Sequence, residues 1–191
     1  MPYSIADHLR QTASVQTRMA EQLAEVEQLA DRLCRALQAG KKLVVFGNGG
    51  SAADAQHFAA EIIGRFEKER QALPAVALTT DTSILTAIGN DYSYDEVFAR
   101  QVQGLVQSGD VVVAISTSGN SRSILRGVEE SRRRGAWVAG LTGMSGGKLK
   151  DVVDCCIRVP SQRTAHIQET HIALIHALCA RVDEVFLPAS V

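Results

Sequence analysis

Residues 43–51 read LVVFGNGGS, and this stretch decides the fold class. The apolar run over 43–46 predicts a buried strand, and the glycine-rich residues after it predict a tight turn. The segment from about 52 to 65 that follows is rich in alanine and other helix formers. Strand, turn and helix in this order indicate one unit of an α/β fold.

The same order recurs along the rest of the chain. Further apolar runs lie at 75–78, 111–115, 137–141 and 155–159, with helical stretches between them. The runs are continuous and not alternating, which is typical of strands that helices cover on both faces, and connections of this length permit parallel pairing. We therefore predict an α/β fold, a three-layer αβα sandwich with a five-stranded parallel sheet.

Helical periodicity is also clear at the two ends of the chain. Between residues 4 and 37, apolar side chains recur every three to four positions, which predicts one long amphipathic helix. Because this helix exceeds what a small α/β core needs, part of its apolar face should pack on another copy of the chain. We expect a single domain over 1–191, with 1–38 as an N-terminal oligomerisation helix and a last helix over about 164–186.

The overall composition excludes several classes of protein. The 20 basic and 21 acidic residues leave a formal charge of −1, without the basic excess of a dedicated nucleic-acid binder. No apolar stretch is long enough for a membrane span, and the N-terminus lacks a signal-peptide pattern, so we expect a cytoplasmic protein. The cysteines form neither a disulfide framework nor a CxxC metal motif, and we interpret them as reduced core residues: Cys34, Cys155, Cys156 and Cys179.

The loop after the run at 111–115 is rich in hydroxyl groups. Residues 116–121 read STSGNS and open a predicted helix, where the helix dipole favours an anion. A helix N-cap needs one side chain, whereas this loop offers four hydroxyls, so we favour a phosphate-binding loop over a cluster of capping residues. The loop lacks the lysine of a Walker motif, which favours a single phosphoryl group. The turn at 47–51 departs from the GxGxxG fingerprint, and we interpret it as a turn that contacts substrate through its backbone.

Two pairs of polar residues on predicted helices are further candidates. His57 and Glu61 are four residues apart and therefore share one helix face. Gln168 and His176 lie about two turns apart on the last helix, beside an apolar stripe. A surface ion pair or a hydrogen-bonded core histidine would give the same patterns, so the spacing alone leaves these alternatives open.

Four runs of sequence resemble one family of enzymes. They are GNGGSAADAQHFAAE at 47–61, TAIGNDYSYDEVFARQV at 86–102, ISTSGNS at 115–121 and IQETHIALIHALC at 167–179. Together they resemble the sedoheptulose-7-phosphate isomerase, or phosphoheptose isomerase, family over nearly the whole chain. The resemblance implies a SIS-domain homotetramer that converts D-sedoheptulose 7-phosphate to D-glycero-D-manno-heptose 7-phosphate, the first step towards the ADP-heptose of lipopolysaccharide core.

The resemblance also implies roles for individual residues. The catalytic residues would be Glu61 and His176. The phosphate would be held by Ser51, Ser116, Thr117, Ser118 and Ser121. Further substrate contacts would come from Asn48, Gly49, Gly50, Glu61, Asp91 and Gln168. One zinc ion per subunit would be ligated by His57, Glu61, Gln168 and His176, a set of nitrogen and oxygen donors that zinc accepts.

Aldose–ketose isomerisation needs a base that removes a proton beside a carbonyl and an acid that protonates the carbonyl oxygen. We assign Glu61 as the base that moves the proton between C1 and C2 through an enediol(ate), and His176 as the acid–base partner of the oxygens. A zinc-bound carboxylate is a poorer base than a free one, so the metal is expected to organise the pocket or to polarise a substrate oxygen. The reaction needs no redox cofactor.

Two other functions compete with the enzyme. A related SIS-domain family consists of catalytically silent tetramers that bind the replication initiator DnaA, and the run LCARVDEVFLP at 178–188 resembles it. That family generally lacks the residues that stand here as Glu61 and His176, so their joint presence favours the enzyme. A sugar-phosphate sensor without turnover ranks last, because such domains usually accompany a DNA-binding segment. Many relatives of the enzyme carry arginine where this chain has His166, and we expect a changed phosphate or subunit contact there.

Overall fold

The computed structural model describes residues 4–187; the first three and last four residues of the predicted 1–191 domain lie outside that range. Within it, five parallel strands form one sheet in the order β2-β1-β3-β4-β5. They are β1 Leu43–Gly47, β2 Ala75–Ala77, β3 Val111–Ile115, β4 Trp137–Thr142 and β5 Cys155–Arg158. The predicted parallel sheet is confirmed, and no strand end differs from its predicted position by more than one residue.

Helices connect the strands and cover both faces of the sheet. The α-helices are α1 Ile5–Ala20, α2 Ala24–Gln38, α3 Gly50–Ile63, α4 Thr82–Asp91, α5 Val97–Leu105, α6 Arg122–Arg133 and α7 Thr164–Val185. Short 3-10 turns lie at Tyr94–Glu96 and Leu149–Asp151. The last helix therefore agrees with its predicted extent to within one residue.

The three central strands, β1, β3 and β4, pack against apolar residues on both faces, which explains their continuous apolar runs. Val44 and Phe46 of β1 belong to an apolar cluster with residues of α5 and α6. Leu43 and Val45 belong to a second cluster with residues of α2, α3 and α7. Because successive strand residues point to opposite faces, a sheet covered on both sides requires apolar residues at every position. The predicted three-layer sandwich is confirmed.

The prediction of one long N-terminal helix is wrong. Two helices, α1 and α2, occupy this segment and are separated at residues 21–23. The N–H of Gln22 bonds back to the carbonyl of Met19 in a turn, after which α2 begins with acidic residues in its first turn. Both helices contact α7, and α2 in addition contacts β3 and β5. The break allows the apolar faces of α1 and α2 to pack on different sets of elements.

The two central strands position the candidate site. Chain order along the sheet reverses between β1 and β3, and Gly47 at the end of β1 pairs with Ile115 at the end of β3. In open α/β sheets, ligands bind beyond the carboxyl ends of the strands at such a reversal. The glycine-rich turn after β1 and the hydroxyl-rich loop after β3 therefore meet at one edge of the sheet.

The structure also describes the hydropathy of the helices and the surroundings of the cysteines. Within residues 4–187, no helix is long and apolar enough to cross a membrane. The four cysteines are unbridged; Cys34, Cys155 and Cys179 are buried, and Cys156 is partly buried. Burial raises the pKa of the Cys155 thiol to about 12. Such thiols remain protonated and act as small apolar residues.

Candidate active site

The turn after β1 brings α3 close to α7. Gly49 has a φ of 57° and precedes the first residue of α3, a conformation that side-chain-bearing residues rarely adopt. A Cβ atom added to Gly50 would collide with the side-chain amide of Gln168 on α7. Gly49 therefore permits the turn, and Gly50 permits the close approach of the two helices.

Asn48 links the turn after β1 to the loop after β3. Its side-chain nitrogen donates to the hydroxyl oxygens of Ser121 at 2.9 Å and Ser123 at 3.0 Å. The hydroxyl of Tyr94 donates to the side-chain oxygen of Asn48 at 2.9 Å. Ser121 occupies the N-cap position of α6 but makes no side-chain capping bond. Its hydroxyl serves the link between the loops and not the end of the helix.

The two turns and α7 enclose a cavity of about 180 Å³. Its lining consists of Asn48, Ser51, Ile115, Ser116, Thr117, Ser118, Ser121, Ile124 and Gln168. Every polar residue in that lining is one of the predicted substrate residues. Helices α3 and α6 both begin here, so their dipoles and first-turn N–H groups favour an anion in the cavity. The arrangement suits a phosphoryl group.

Asp91, a predicted sugar contact, lies outside this cavity. It is the last residue of α4, and its carboxylate accepts a hydrogen bond from the side chain of Asn90 at 2.9 Å. It borders a separate, more apolar cleft beside Ile88 and Tyr92. A single chain therefore does not bring Asp91 to the cavity that Asn48, Ser51 and Gln168 line.

Glu61, His57 and His176 form a second part of the site, further along α3 and α7. His57 Nε2 lies 3.0 Å from His176 Nε2 and 3.4 Å from Glu61 Oε1. The ring of Phe66 stacks on that of His176 at 5.3 Å between centroids. Helices α3 and α7 run side by side in the same direction, since Gly50 meets Gln168 and His57 meets His176. The predicted catalytic pair is thus brought together around His57.

The predicted zinc ligands are only partly brought together. His57 Nε2 lies near a donor atom of both His176 and Glu61, but the three donor atoms are not all within 4.8 Å of one another. Two imidazoles and a carboxylate are nevertheless a donor set typical of catalytic zinc sites. The fourth predicted ligand, Gln168, contacts Gly50 and lies roughly 12 Å from His176 along the axis of α7. His57, Glu61 and His176 therefore fit a metal by their chemistry, while Gln168 lies at the cavity between the turns after β1 and β3.

A separate group of potential metal ligands lies between α1 and α7. The donor atoms of His8, His166 and Glu169 all lie within 4.8 Å of one another. The sequence pointed to His166 as a departure from related chains but gave no reason to group it with His8. The two residues are far apart in the chain, and only the packing of α1 on α7 brings them together.

A buried ion pair fixes the end of α3 that carries Glu61. Arg70 Nε donates to Asp183 Oδ1 at 2.7 Å, and both side chains are buried. Arg70 also donates to the backbone carbonyls of Glu61 at 2.8 Å and Ile62 at 2.9 Å. Burial opposes the ionisation of Asp183, but hydrogen bonds from backbone N–H groups and Arg70 outweigh it and lower its pKa. Burial of this pair could not be predicted from the sequence.

Asp54 is another residue of this region that was not predicted from the sequence. It lies one turn before His57 on α3, and burial raises the pKa of its carboxyl to about 6, against the opposing effect of the His57 charge. Among the described residues, its Oδ2 is buried without a hydrogen-bond partner. Perturbed carboxyls of this kind are common beside functional sites. The sequence feature that could have identified Asp54 is its position within the run GNGGSAADAQH at 47–57.

Comparison with known proteins identifies the class first. Residues 7–143 match the family model of the SIS domain. The phosphoheptose isomerase of Neisseria gonorrhoeae has a TM-score of 0.89 at 46% identity, over 94% of this chain and 97% of that one. The structure from Francisella tularensis has a TM-score of 0.91 at 38% identity, over 94% and 96% of the two chains. The fold is that of a SIS-domain protein.

Sequence comparison then gives the particular family. The phosphoheptose isomerase of Geobacter sulfurreducens is 53% identical over 185 residues, which cover 96% of this chain and 98% of the relative. The chain belongs to the phosphoheptose isomerase family, as the sequence resemblance predicted. These relatives bear an enzyme's name, so the prediction of an isomerase is confirmed and the alternative of a silent DnaA-binding tetramer receives no support.

Proposed function

We propose that this enzyme converts D-sedoheptulose 7-phosphate to D-glycero-D-manno-heptose 7-phosphate in the cytoplasm, as the first step towards ADP-heptose and lipopolysaccharide core. The observation that carries the proposal is the pairing of an anion-suited cavity with the cluster of Glu61, His57 and His176. The two parts lie along the same pair of helices, so one extended sugar phosphate could reach both.

The cavity would hold the phosphate without a lysine or arginine. Hydroxyls of Ser51, Ser116 and Ser121 line it, and two of these residues are buried, at 3% exposure for Ser51 and 7% for Ser116. Buried hydroxyls donate directed hydrogen bonds to a phosphate, and the dipoles of helix N-termini stabilise its negative charge. The sugar chain would then extend along α3 and α7 towards His57.

Glu61 would perform the proton transfer at carbon. Its carboxylate removes a proton from C1 of the ketose, and the electron pair of that C–H bond forms the C1–C2 double bond of an enediol. His176 protonates the carbonyl oxygen on C2 as this happens. Glu61 then returns the proton to C2, while the neutral His176 imidazole accepts the proton of the C1 hydroxyl and a C1 aldehyde forms. Atoms and charges balance without a redox cofactor.

His57 would hold the pair in position. Its Nε2 lies within hydrogen-bonding or ion-pair distance of both partners, so it orients the His176 ring towards Glu61. A zinc ion held by His57, Glu61 and His176 would supply Lewis-acid polarisation of a substrate oxygen when bound. One zinc ion per subunit of a homotetramer is the stoichiometry we propose.

A direct assay tests the proposal. Purified protein is incubated with sedoheptulose 7-phosphate, with and without a chelator, and the aldoheptose phosphate is measured. We expect Glu61→Gln and His176→Ala to lower kcat by about 10²–10⁴-fold, the usual contribution of general acid–base catalysis. The matched control is Glu69→Gln, which changes a carboxylate with 86% side-chain exposure and should leave kcat unchanged. Full activity in both site variants would refute the assignment.

A further inference from the structure

The packing of α1 on α7 creates a polar cluster separate from the proposed catalytic residues. We name the α1–α7 cluster for its members His8, Thr12, His166 and Glu169. His8 Nε2 lies 2.6 Å from Glu169 Oε1, and His166 Nδ1 lies 3.2 Å from Glu169 Oε2. The Thr12 hydroxyl lies 2.8 Å from His166 Nδ1. The glutamate thus uses one oxygen for each imidazole.

The geometry of the cluster matches the needs of a transition metal. Zinc binds imidazole nitrogen and carboxylate oxygen at about 2.0–2.2 Å, so neighbouring donors of a tetrahedral site lie roughly 3.3 Å apart. The three donor atoms of His8, His166 and Glu169 lie within 4.8 Å of one another, so small side-chain movements would place all of them around one ion.

Burial in the cluster is graded from one side to the other. The side chain of His166 is 4% exposed and that of His8 is 15% exposed, whereas that of Glu169 is 36% exposed. A metal ion could therefore enter from the glutamate side and keep a water molecule as an additional ligand. The imidazoles would be fixed by surrounding protein, as metal-ligating histidines usually are.

We propose that His8, His166 and Glu169 bind a divalent transition metal of the zinc class, and that this ion fastens α1 to α7. Two imidazoles and a carboxylate favour zinc and its neighbours over magnesium and calcium, which prefer oxygen ligands only. Two of the ligands are on α7 and one is on α1, so the metal would couple the N-terminal helix to the helix that carries His176. The proposal does not depend on the isomerase mechanism.

The experiment isolates this cluster from the proposed catalytic metal site. In a His57→Ala/His176→Ala background, zinc binding is titrated against a chromophoric chelator, and cobalt absorption reports the coordination number. We expect one zinc ion per chain. Replacing a ligand by His166→Arg or Glu169→Gln should weaken binding by more than tenfold, since even changes to outer-shell partners cost about 10–100-fold. The arginine retains a hydrogen-bond donor for Glu169 but cannot ligate zinc.

A matched control and a second readout make the outcome decisive. Asp7→Asn changes an exposed carboxylate on α1 that pairs with Arg10, and zinc affinity should be unchanged. Zinc should also raise the thermal unfolding temperature of the background protein but not that of the Glu169→Gln variant, with circular dichroism verifying that each variant is folded. The proposal fails if the background protein binds no zinc, or binds it equally well after both ligand substitutions.

Discussion

His171 shows how a single buried side chain can set the acid stability of the molecule. Its ring is fully buried on α7, and its Nε2 lies 3.2 Å from the carbonyl oxygen of Thr142, to which it donates in the neutral form. Its Nδ1 has no hydrogen-bond partner among the described residues. Burial lowers the pKa of the ring to about 4. The folded protein therefore holds this histidine neutral well below the pH at which the unfolded chain protonates it.

The sign of the resulting pH dependence follows from this lowered pKa. Between pH 6.5 and 4 the unfolded chain binds a proton that the folded protein does not, so the free energy of unfolding falls as pH falls. We expect His171→Gln, which can still donate to Thr142, to reduce the stability difference between pH 7 and pH 5 by about 2 kcal/mol. Urea unfolding at the two pH values measures it; an unchanged difference would contradict the lowered pKa.

Individual residues could be predicted from the sequence where their chemistry is apparent from a motif. Ser116 and Ser121 lie in a run whose residue types and position indicate a role, and Glu61 lies in a run that resembles the isomerase family. Arg70 and Asp183 do not, because their importance comes from burial, and Arg70 stands in a stretch rich in charged residues that reads as surface. Burial of a charge depends on which distant helix covers it, and local sequence does not contain that information.

Among the elements, the contact between the end of α3 and α7 is the most sensitive to change. The Arg70–Asp183 pair holds the two together, with side-chain exposures of 0% and 1%. Asp183→Asn should lower the free energy of unfolding by about 3–5 kcal/mol, because it leaves a buried guanidinium without its counter-charge. Denaturant unfolding measures the loss.

A double substitution separates the charge effect from lost packing. Arg70→Met/Asp183→Leu removes both charges, and we expect it to recover part of the stability that Asp183→Asn loses, since uncharged replacements of buried pairs are often tolerated. If the single variant is as stable as the wild type, the pair does not anchor α3. A double variant less stable than the single one would show that the pair's hydrogen bonds to the Glu61 and Ile62 carbonyls matter more than its charges.

The elements of the sheet were predictable, whereas the break between α1 and α2 was not. Runs such as 111–115 must be apolar throughout because both faces are covered, and few other structures require that pattern. Residues 21–23 read EQL, which contains neither glycine nor proline, and the apolar spacing continues across them. The helix ends there because of where each half packs, which is a tertiary cause that periodicity does not report.

For the whole molecule, the exposed face of α1 bears on the predicted homotetramer. Ile5 is 74% exposed and Leu9 is 64% exposed, one turn apart on the same helix face. If this face packs on another subunit, Leu9→Glu should shift the protein from tetramers towards smaller species, because it places a charge in an apolar interface. Sedimentation velocity measures the distribution.

The matched control for this variant is Arg18→Glu, which introduces the same carboxylate at an exposed position of α1 outside the apolar stripe. It should leave the sedimentation profile unchanged. Identical profiles for wild type, Leu9→Glu and the control would show that this part of the predicted 1–38 oligomerisation segment does not form a subunit contact.

The proposed chemistry of the whole enzyme reduces to Glu61 moving a proton between C1 and C2. The most direct measurement is the rate at which deuterium from heavy water enters C1 of the ketose and C2 of the aldose, followed by NMR. Wild-type protein should incorporate deuterium, and Glu61→Gln should do so more than about 100-fold more slowly. Incorporation by Glu61→Gln at the wild-type rate would contradict the assignment of Glu61 as the base.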